Sequence, residues 1–363
     1  MVSKDVKLVL LKAYEFSTPK FAGDNWYEDV YDYELIDMLF KSIMKLSKSA
    51  RKYKDDTVSI NLGDFKQSDD ANRVEGHFLT ARHGVRMPHI DINTQDEIST
   101  IEPHHGVEAK VYFMIDRISG LILVQEDFNK IFTRKLLHTF LYSHRKLIYP
   151  YIDKVNQLNS DRSIKVHKRS IYRLTTLPPV QFMDKLKEFK KINSAIVTLD
   201  STTEKKDIDV SEALDIELDK HEIDNYELEI KIKNKSGYSM VKTFEKYFAK
   251  VIELQKYDSY AIEGQLESGR IQKITPDSIT RDFEAHINHT PLGEPSISDL
   301  TREMEKVIRF KNPISEDKGP TPNYMPLGKD EAVETEISSY AQQINENYKK
   351  ESEVINDEQK KTS

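Results

Sequence analysis

Positively charged side chains recur at alternate positions in the segment SIKVHKRSIYRL, residues 163–174. They are Lys165, His167, Arg169 and Arg173. If this segment is a β-strand, alternate side chains point to the same face and stand about 6.6 Å apart. That separation is close to the spacing of phosphates along a nucleic-acid strand. The pattern therefore predicts one strand with a phosphate-binding face.

The positive charge extends beyond this segment. Residues 134–191 contain 14 lysines and arginines against four acids, in a chain whose formal net charge is −7. A helix before the strand adds four cations, so consecutive elements present positive charge, as an interface for a polyanion does. An ordinary solvated face, balanced by 11 acids against three lysines in 204–229, is the alternative interpretation. The candidate nucleic-acid-binding residues are Arg134, Lys135, Arg145, Lys146, Lys165, His167, Arg169 and Arg173.

The chemistry of these residues favours duplex DNA without strong sequence preference. Lysines and arginines contact phosphates irrespective of sequence, and their binding weakens with salt. The segment has neither a recognition helix of the helix-turn-helix type nor an aromatic platform for single strands. We therefore expect recognition by charge and shape.

A second pattern supports a different reading, a Mg²⁺-dependent nuclease. Glu108 and Lys110 form an E-x-K pair at the start of a predicted strand, with Asp91 upstream. Restriction-type enzymes use this order, in which carboxylates hold Mg²⁺ and a lysine helps to activate water. The same spacing recurs at 188–190 and 229–231, so chance is the simpler explanation. Asp91, Glu108 and Lys110 are the candidate catalytic residues of this alternative.

Other chemistry finds little support. Five of the 11 histidines fall within 77–105, but none has the helical spacing of a zinc protease, so we expect no metal. The 12 glycines fit neither the P-loop nor the dinucleotide pattern. The chain has no cysteine, which excludes disulfides and thiolate metal sites. We expect a binding protein without a cofactor rather than an enzyme.

The spacing of apolar residues predicts an α+β protein of two mixed lobes with mainly antiparallel sheets and a poorly ordered C-terminal tail. The predicted elements include a strand at 5–16, a helix at 31–50 and a hairpin that turns at 119–120. A helix at about 129–148, ended by Pro150, precedes the strand at 163–174. The predicted domains are 1–200, with the basic face; 201–225, an acidic connector; 226–312, a second α+β domain; and 313–363, a flexible tail.

Composition also bears on location. No apolar run reaches the roughly 18 residues of a membrane span. The first residues, MVSKDVKLVLLKAYEF, have the pattern of a first strand rather than of a signal peptide. We expect a cytoplasmic protein without membrane insertion.

Three stretches carry a resemblance to a known group of proteins: VYFMIDRISGLILVQEDF, SIYRLTTLPPVQFMDKLKEF and AIVTLD, within 107–200. Their order resembles that of phage-exclusion and phage-defence DNA-binding proteins, the RexA-like and Kiwa B-subunit-like proteins. The resemblance implies nonspecific duplex-DNA binding, self-association into a homo-oligomer, and a role as sensor or effector in anti-phage defence, with a possible defence-system partner protein. We hypothesise that the acidic connector masks the basic face until a partner displaces it. A protein-docking adaptor whose basic face binds an acidic partner is the third function class.

Overall fold

A computed structural model of the chain describes residues 6–22, 25–27, 31–127, 129–177, 186–200, 227–235, 238–244, 246, 259–266, 268–274, 281–290, 293–314 and 324–362. These residues form helices and antiparallel sheets, so the predicted α+β class is confirmed. The strands are β1 (Val6–Ser17), β2 (Lys20–Ala22), β3 (Asn25–Tyr27), β4 (Tyr53–Lys54), β5 (Val58–Gln67), β6 (Arg73–Arg82), β7 (Met87–Ile90), β8 (Glu97–Ile101), β9 (Val107–Asp116), β10 (Leu121–Gln125), β11 (Ile164–Lys165), β12 (Arg173–Thr176), β13 (Phe189–Asp200), β14 (Glu227–Lys233), β15 (Ser259–Leu266), β16 (Ile271–Ile274) and β17 (Arg281–Asn288). The helices are α1 (Tyr33–Met44), α2 (Arg134–Ser143), α3 (Tyr149–Leu158), α4 (Ile297–Lys311) and α5 (Glu331–Thr362).

The main sheet is built around β1. One edge of β1 pairs with β10, and the sheet continues through β9, β6, β5 and β4. The other edge pairs with two strands in succession: Tyr14 lies opposite Thr176 of β12, and Ala13 lies opposite Arg281 of β17. β12 and β17 therefore follow one line along β1, although residues 177–280 separate them in the chain.

Both faces of this sheet are covered. Tyr14 and Phe16 of β1 join a large apolar cluster with residues of α1, α2, α3 and α5. Leu11 and Ala13 point to the opposite face, where they pack with residues of α4. A strand buried on both faces needs apolar residues at successive positions. This explains the continuous run LILV in β10, whose four side chains are all buried.

The helix predicted at 31–50 is present as α1, but it ends at Met44. Its apolar positions Leu35, Leu39 and Ile43 are buried, and the Asp32 carboxylate accepts a hydrogen bond from the Glu34 N–H at 3.1 Å. An aspartate at this position satisfies an N–H group that the first turn leaves without a helical partner.

The helix predicted at 129–148 is wrong in its limits. The structure has α2, a short 3₁₀ segment at Arg145–Ile148, and then α3. Pro150 lies in the first turn of α3, where its missing N–H costs no hydrogen bond, so it begins a helix rather than ending one.

A second sheet, in the order β14-β13-β15-β16, forms a separate lobe. Its core contains Leu186, Phe189, Ile192, Val197 and Ile262, among others. Because β13 belongs to this sheet, the boundary predicted at residue 200 is wrong, and the lobe begins before β13. The predicted domain 226–312 is also corrected, since β17 and α4 return to the main sheet. The predicted acidic connector lies outside the described residues.

The C-terminal segment is part of the main lobe. Val333, Ile337 and Ala341 of α5 are buried in the large apolar cluster. The expectation that residues after 313 pack little is therefore wrong for 324–344. Three buried side chains at helical spacing were too few to stand out among the charged residues around them.

Candidate nucleic-acid interface

The basic segment 163–174 is not one strand. β11 and β12 are separated by a turn in which the Ser170 N–H donates to the His167 carbonyl at 3.0 Å. Burial nevertheless follows the prediction around β11, where Lys165, His167 and Arg169 are exposed. The apolar side chains of the segment face the interior: Ile164, Val166, Tyr172 and Leu174 are buried.

A side chain takes the place of a partner strand at Val166. The Val166 N–H donates to Asn156 Oδ1 at 2.7 Å, and Asn156 Nδ2 donates to the Val166 carbonyl at 3.0 Å. Asn156 lies in α3, so this pair of hydrogen bonds fixes the basic turn against that helix. The His167 ring packs on Phe21, with ring centroids 4.0 Å apart. Exposed cations are thus carried on a fixed backbone.

Three of the predicted binding residues are buried. Arg134, Arg145 and Arg173 are 5%, 6% and 3% exposed. Arg134 Nη1 donates to the Leu174 carbonyl at 3.1 Å, and Arg145 Nη1 donates to the Tyr142 carbonyl at 3.0 Å. A guanidinium has five donors in a fixed plane, which suits it to bonding backbone carbonyls inside a fold. These three arginines are structural and do not belong to a phosphate-binding surface.

The remaining cations lie on the outside. Between 134 and 177, Lys168 is half-buried and forms a 2.8 Å ion pair with Asp153. Six other cations in this stretch are exposed, and its only acids are Asp153 and Asp161, so positive charge dominates the surface there. The exposed cations are Lys135, Lys146, Lys154, Arg162, Lys165 and Arg169.

Five exposed basic side chains lie on α3, on the residues that follow it, and on β11 and the turn after it. The bonds from α3 to Val166 and Lys168 place the helix beside the basic turn. We call Lys154, Arg162, Lys165, His167 and Arg169 the basic surface.

Lys146 belongs to a different site. It lines a groove of about 620 Å³ between α5, the segment 143–147 and the segment 46–54 that joins α1 to β4. Two hydrogen bonds join α5 to the end of α1 beside the groove: Lys45 Nζ donates to Ser338 Oγ at 2.9 Å, and the Ser47 N–H donates to Asn345 Oδ1 at 2.7 Å. We call it the tyrosine groove, after Tyr53, Tyr340 and Tyr348 in its wall. Sequence reasoning missed it because the tail was expected to be unpacked.

The tyrosine groove is positively charged. Lys52, Lys54 and Lys146 line it, and no carboxylate does among the side chains that the structure describes. His144, also in the wall, is buried and bonded through Nδ1 to the Phe140 carbonyl at 2.8 Å. Burial lowers the pKa of His144, so its ring is neutral at pH 7. The charge therefore comes from the three lysines.

The nuclease residues do not form a metal site in the described part of the chain. Glu108 and Lys110 are exposed on the same face of β9. Asp91 lies in the turn of the β7–β8 hairpin, where its carboxylate accepts a hydrogen bond from the Asn93 N–H at 2.7 Å. Over the described residues, no three histidines or carboxylates are arranged to hold a metal ion. The positions of Asp91, Glu108 and Lys110 thus give no support to the nuclease alternative.

A buried polar cluster, also unpredicted, joins the two ends of the chain. Lys20 is fully buried, with Nζ 3.7 Å from Asp32 and donating to the Thr18 carbonyl at 3.0 Å. Desolvation lowers the pKa of Lys20 to about 8, although the Asp32 carboxylate opposes that shift. Tyr324 covers the cluster: its hydroxyl donates to Asp32, and its ring lies 4.7 Å from Lys20 Nζ. The cluster fixes the C-terminal segment on the main lobe.

Comparison with protein families and with curated proteins gives no match for this chain. In the part of the chain that the structure describes, none of the helices combines the length and apolar character of a membrane span.

Proposed function

We propose that the protein binds duplex DNA without sequence preference through the basic surface. The observation that carries this proposal is the exposure of Lys165, His167 and Arg169 on a turn whose apolar side chains are buried. Lys154 and Arg162 extend the positive charge on the neighbouring residues of α3 and of the turn before β11.

The chemistry of the basic surface supports nonspecific recognition. Lysine and arginine side chains bind phosphates by charge, and such contacts position a protein on DNA without reading its bases. Each phosphate contact adds about 0.9 to the slope of log K against log salt. The binding constant should therefore fall steeply as salt rises.

The proposed biological role rests on the resemblance to RexA-like and Kiwa B-subunit-like proteins. It supports a sensor or effector of anti-phage defence that acts in the cytoplasm as a homo-oligomer, with a defence-system partner as a further interaction. Nonspecific binding suits a sensor of foreign DNA because any phage sequence would be bound.

A charge-matched pair of triple variants tests the interface. Replacing Lys154, Lys165 and Arg169 by glutamine should weaken duplex binding and lower the salt slope by about 2.7, if all three contact phosphates. The control replaces Lys231, Lys233 and Lys273, which are exposed on the second lobe, and changes the net charge equally. We expect the control to retain the wild-type slope. Fluorescence anisotropy with a labelled duplex at several salt concentrations measures both.

Two results would contradict the proposal. Equal weakening by the two triple variants would show that net charge, rather than this surface, determines binding. A wild-type protein that binds no duplex at low salt would favour the adaptor hypothesis, in which the basic surface docks an acidic protein.

A further inference from the structure

The tyrosine groove has the volume of a small-molecule site. Leu46, Ala50, Leu147 and Ile344 are its apolar lining residues, and the other side chains that line it carry polar groups. Its volume of about 620 Å³ lies within the range of roughly 300–1,000 Å³ that is usual for ligand pockets. None of the five residues of the basic surface lines the groove, so the two are distinct sets of residues.

The charge of the groove selects an anion with more than one negative charge. Lys52, Lys54 and Lys146 come from two different segments and line the same cavity. The chain has a net charge of −7, yet three lysines and no described carboxylate line this cavity, so the local charge is positive. Phosphate groups are the common biological anions that lysines bind as point charges.

The rings of the groove select a planar partner. Tyr340 and Tyr348 lie two turns apart on α5, and Tyr53 faces the cavity from the segment before β5. Stacking of a base on an aromatic ring contributes about 1–3 kcal/mol per base and tolerates any base. Tyrosine hydroxyls also donate and accept hydrogen bonds at the edge of such a ligand.

We propose that the tyrosine groove binds a nucleoside phosphate, with the lysines on the phosphates and the tyrosine rings against the base. The ligand is a free nucleotide or the phosphorylated end of a nucleic-acid strand, which share this chemistry. Because α5 supplies two of the three rings, a bound ligand would join α5 more firmly to the main lobe and raise its thermal stability.

Calorimetric titration of the full-length protein with ATP in the absence of Mg²⁺ tests this proposal. The K52Q/K54Q variant should bind ATP at least tenfold more weakly, because two of three phosphate partners are removed. The Y340L/Y348L variant should also lose at least tenfold, since leucine keeps the apolar packing but has no π face. A Y340F/Y348F variant, which retains the rings, should recover most of the affinity.

Fragments of the ligand test the contributions of the lysines and of the tyrosine rings separately. Pyrophosphate and adenosine should each bind much more weakly than ATP. A 5′-phosphorylated trinucleotide that binds more tightly than ATP would identify a strand end as the source of the ligand; tighter binding of ATP would identify a free nucleotide.

Matched controls keep this test apart from duplex binding. The K154Q/K165Q/R169Q variant should retain ATP binding, and K52Q/K54Q should retain most duplex binding. K231Q/K233Q and Y238A, on the second lobe, should bind ATP as the wild type does.

The proposal is overturned if neither ATP nor the trinucleotide binds at millimolar concentration, or if K52Q/K54Q binds them normally. Pyrophosphate that binds as tightly as ATP, together with an unaffected Y340L/Y348L variant, would reduce the groove to a simple anion site and would equally overturn it.

Discussion

Asn159 and Met325 are joined by two reciprocal hydrogen bonds. Asn159 Nδ2 donates to the Met325 carbonyl, and the Met325 N–H donates to Asn159 Oδ1, each at 2.8 Å. Asn159 is fully buried and follows the last turn of α3, where Nδ2 also donates to the Val155 carbonyl. The Asn159 side chain thus satisfies a carbonyl at the end of α3. It also bonds both backbone groups of Met325, as a paired β-strand residue would, and so fixes the C-terminal segment.

Replacing Ile337 by alanine should destabilise the protein by about 2–5 kcal/mol. Its side chain is 0% exposed in the main core, and the truncation removes buried apolar volume that the surroundings fill only in part. Urea denaturation measures the change in the free energy of unfolding. Glu336→Ala, at the exposed neighbouring position, is the control and should stay within about 0.5 kcal/mol of the wild type. Equal stability of both variants would mean that α5 does not pack on the core.

Stability should rise with pH from about 8 to 9.5 because of Lys20. Its pKa is about 8 in the folded protein and 10.5 in the unfolded chain, so the folded state holds fewer protons across this interval. Relief of the buried charge should add about 1.6 kcal/mol between pH 8 and 9.5, because each full pH unit with one proton of difference is worth about 1.36 kcal/mol and the difference is only about half a proton at pH 8.

Above about pH 10 the trend should reverse. Burial and nearby carboxylates raise the pKa of Tyr324 and of Tyr151 in the folded protein, so these phenols ionise first in the unfolded chain and favour it. Urea denaturation at pH 7.5, 9 and 9.5 measures the Lys20 effect. Lys20→Met should abolish the rise, whereas Lys41→Met, at an exposed lysine, should preserve it. A rise that persists in Lys20→Met would assign it to another group.

Gly120→Ala should cost much more than Gly293→Ala. Both glycines have positive φ, 77° and 81°, so each substitution incurs the backbone cost of about 1–2 kcal/mol. A Cβ at Gly120 would lie 2.3 Å from the Phe16 carbonyl oxygen, whereas one at Gly293 would have nothing within 4 Å. We expect about 2–4 kcal/mol for Gly120→Ala and about 1–2 kcal/mol for Gly293→Ala from thermal or urea unfolding. Equal losses would show that the hairpin turn can shift away from β1.

Substitution of Arg134 should lower stability without changing DNA binding, whereas substitution of Arg169 should weaken DNA binding without changing stability. Arg134→Met removes the donor to the Leu174 carbonyl in the interior, so the free energy of unfolding should fall by about 1–3 kcal/mol. The salt slope for duplex DNA should not change. Arg169→Gln, at an exposed position, should leave stability within about 0.5 kcal/mol and lower the slope by about 0.9. A lower salt slope in Arg134→Met would show that Arg134 contacts DNA phosphates after all.

The parts of the fold that depend on local patterns could be predicted from the sequence. The spacing of Leu35, Leu39 and Ile43 defines one face of α1, and the apolar run near the start of β1 marks a strand. Alternation also predicted which side chains of 164–169 are exposed. These patterns are periodic, and the period follows from backbone geometry alone.

The rest depends on pairings between distant residues. The side chain of Asn156 that replaces a strand at Val166, and the buried carbonyl that accepts from Arg134, have no signature in the local sequence. The sequence does not distinguish an arginine that donates to a buried carbonyl from one that faces solvent. The eight predicted binding residues therefore included three structural ones. The tyrosine groove could not be predicted because its lysines and tyrosines come together only when α5 packs on the main lobe.

The single line that β12 and β17 form along β1 has a consequence for synthesis on the ribosome. Val6 to Ala13 cannot gain their partners on that edge until β17 emerges, after all of residues 177–280 have been made. In the meantime that edge of β1 offers unpaired N–H and C=O groups, which another nascent chain could pair with. The second lobe, whose strands lie close together in the chain, can complete its sheet first. β1 is therefore among the last strands of the main sheet to be fully paired, and a chaperone bound at this stage would protect the growing chain from aggregation.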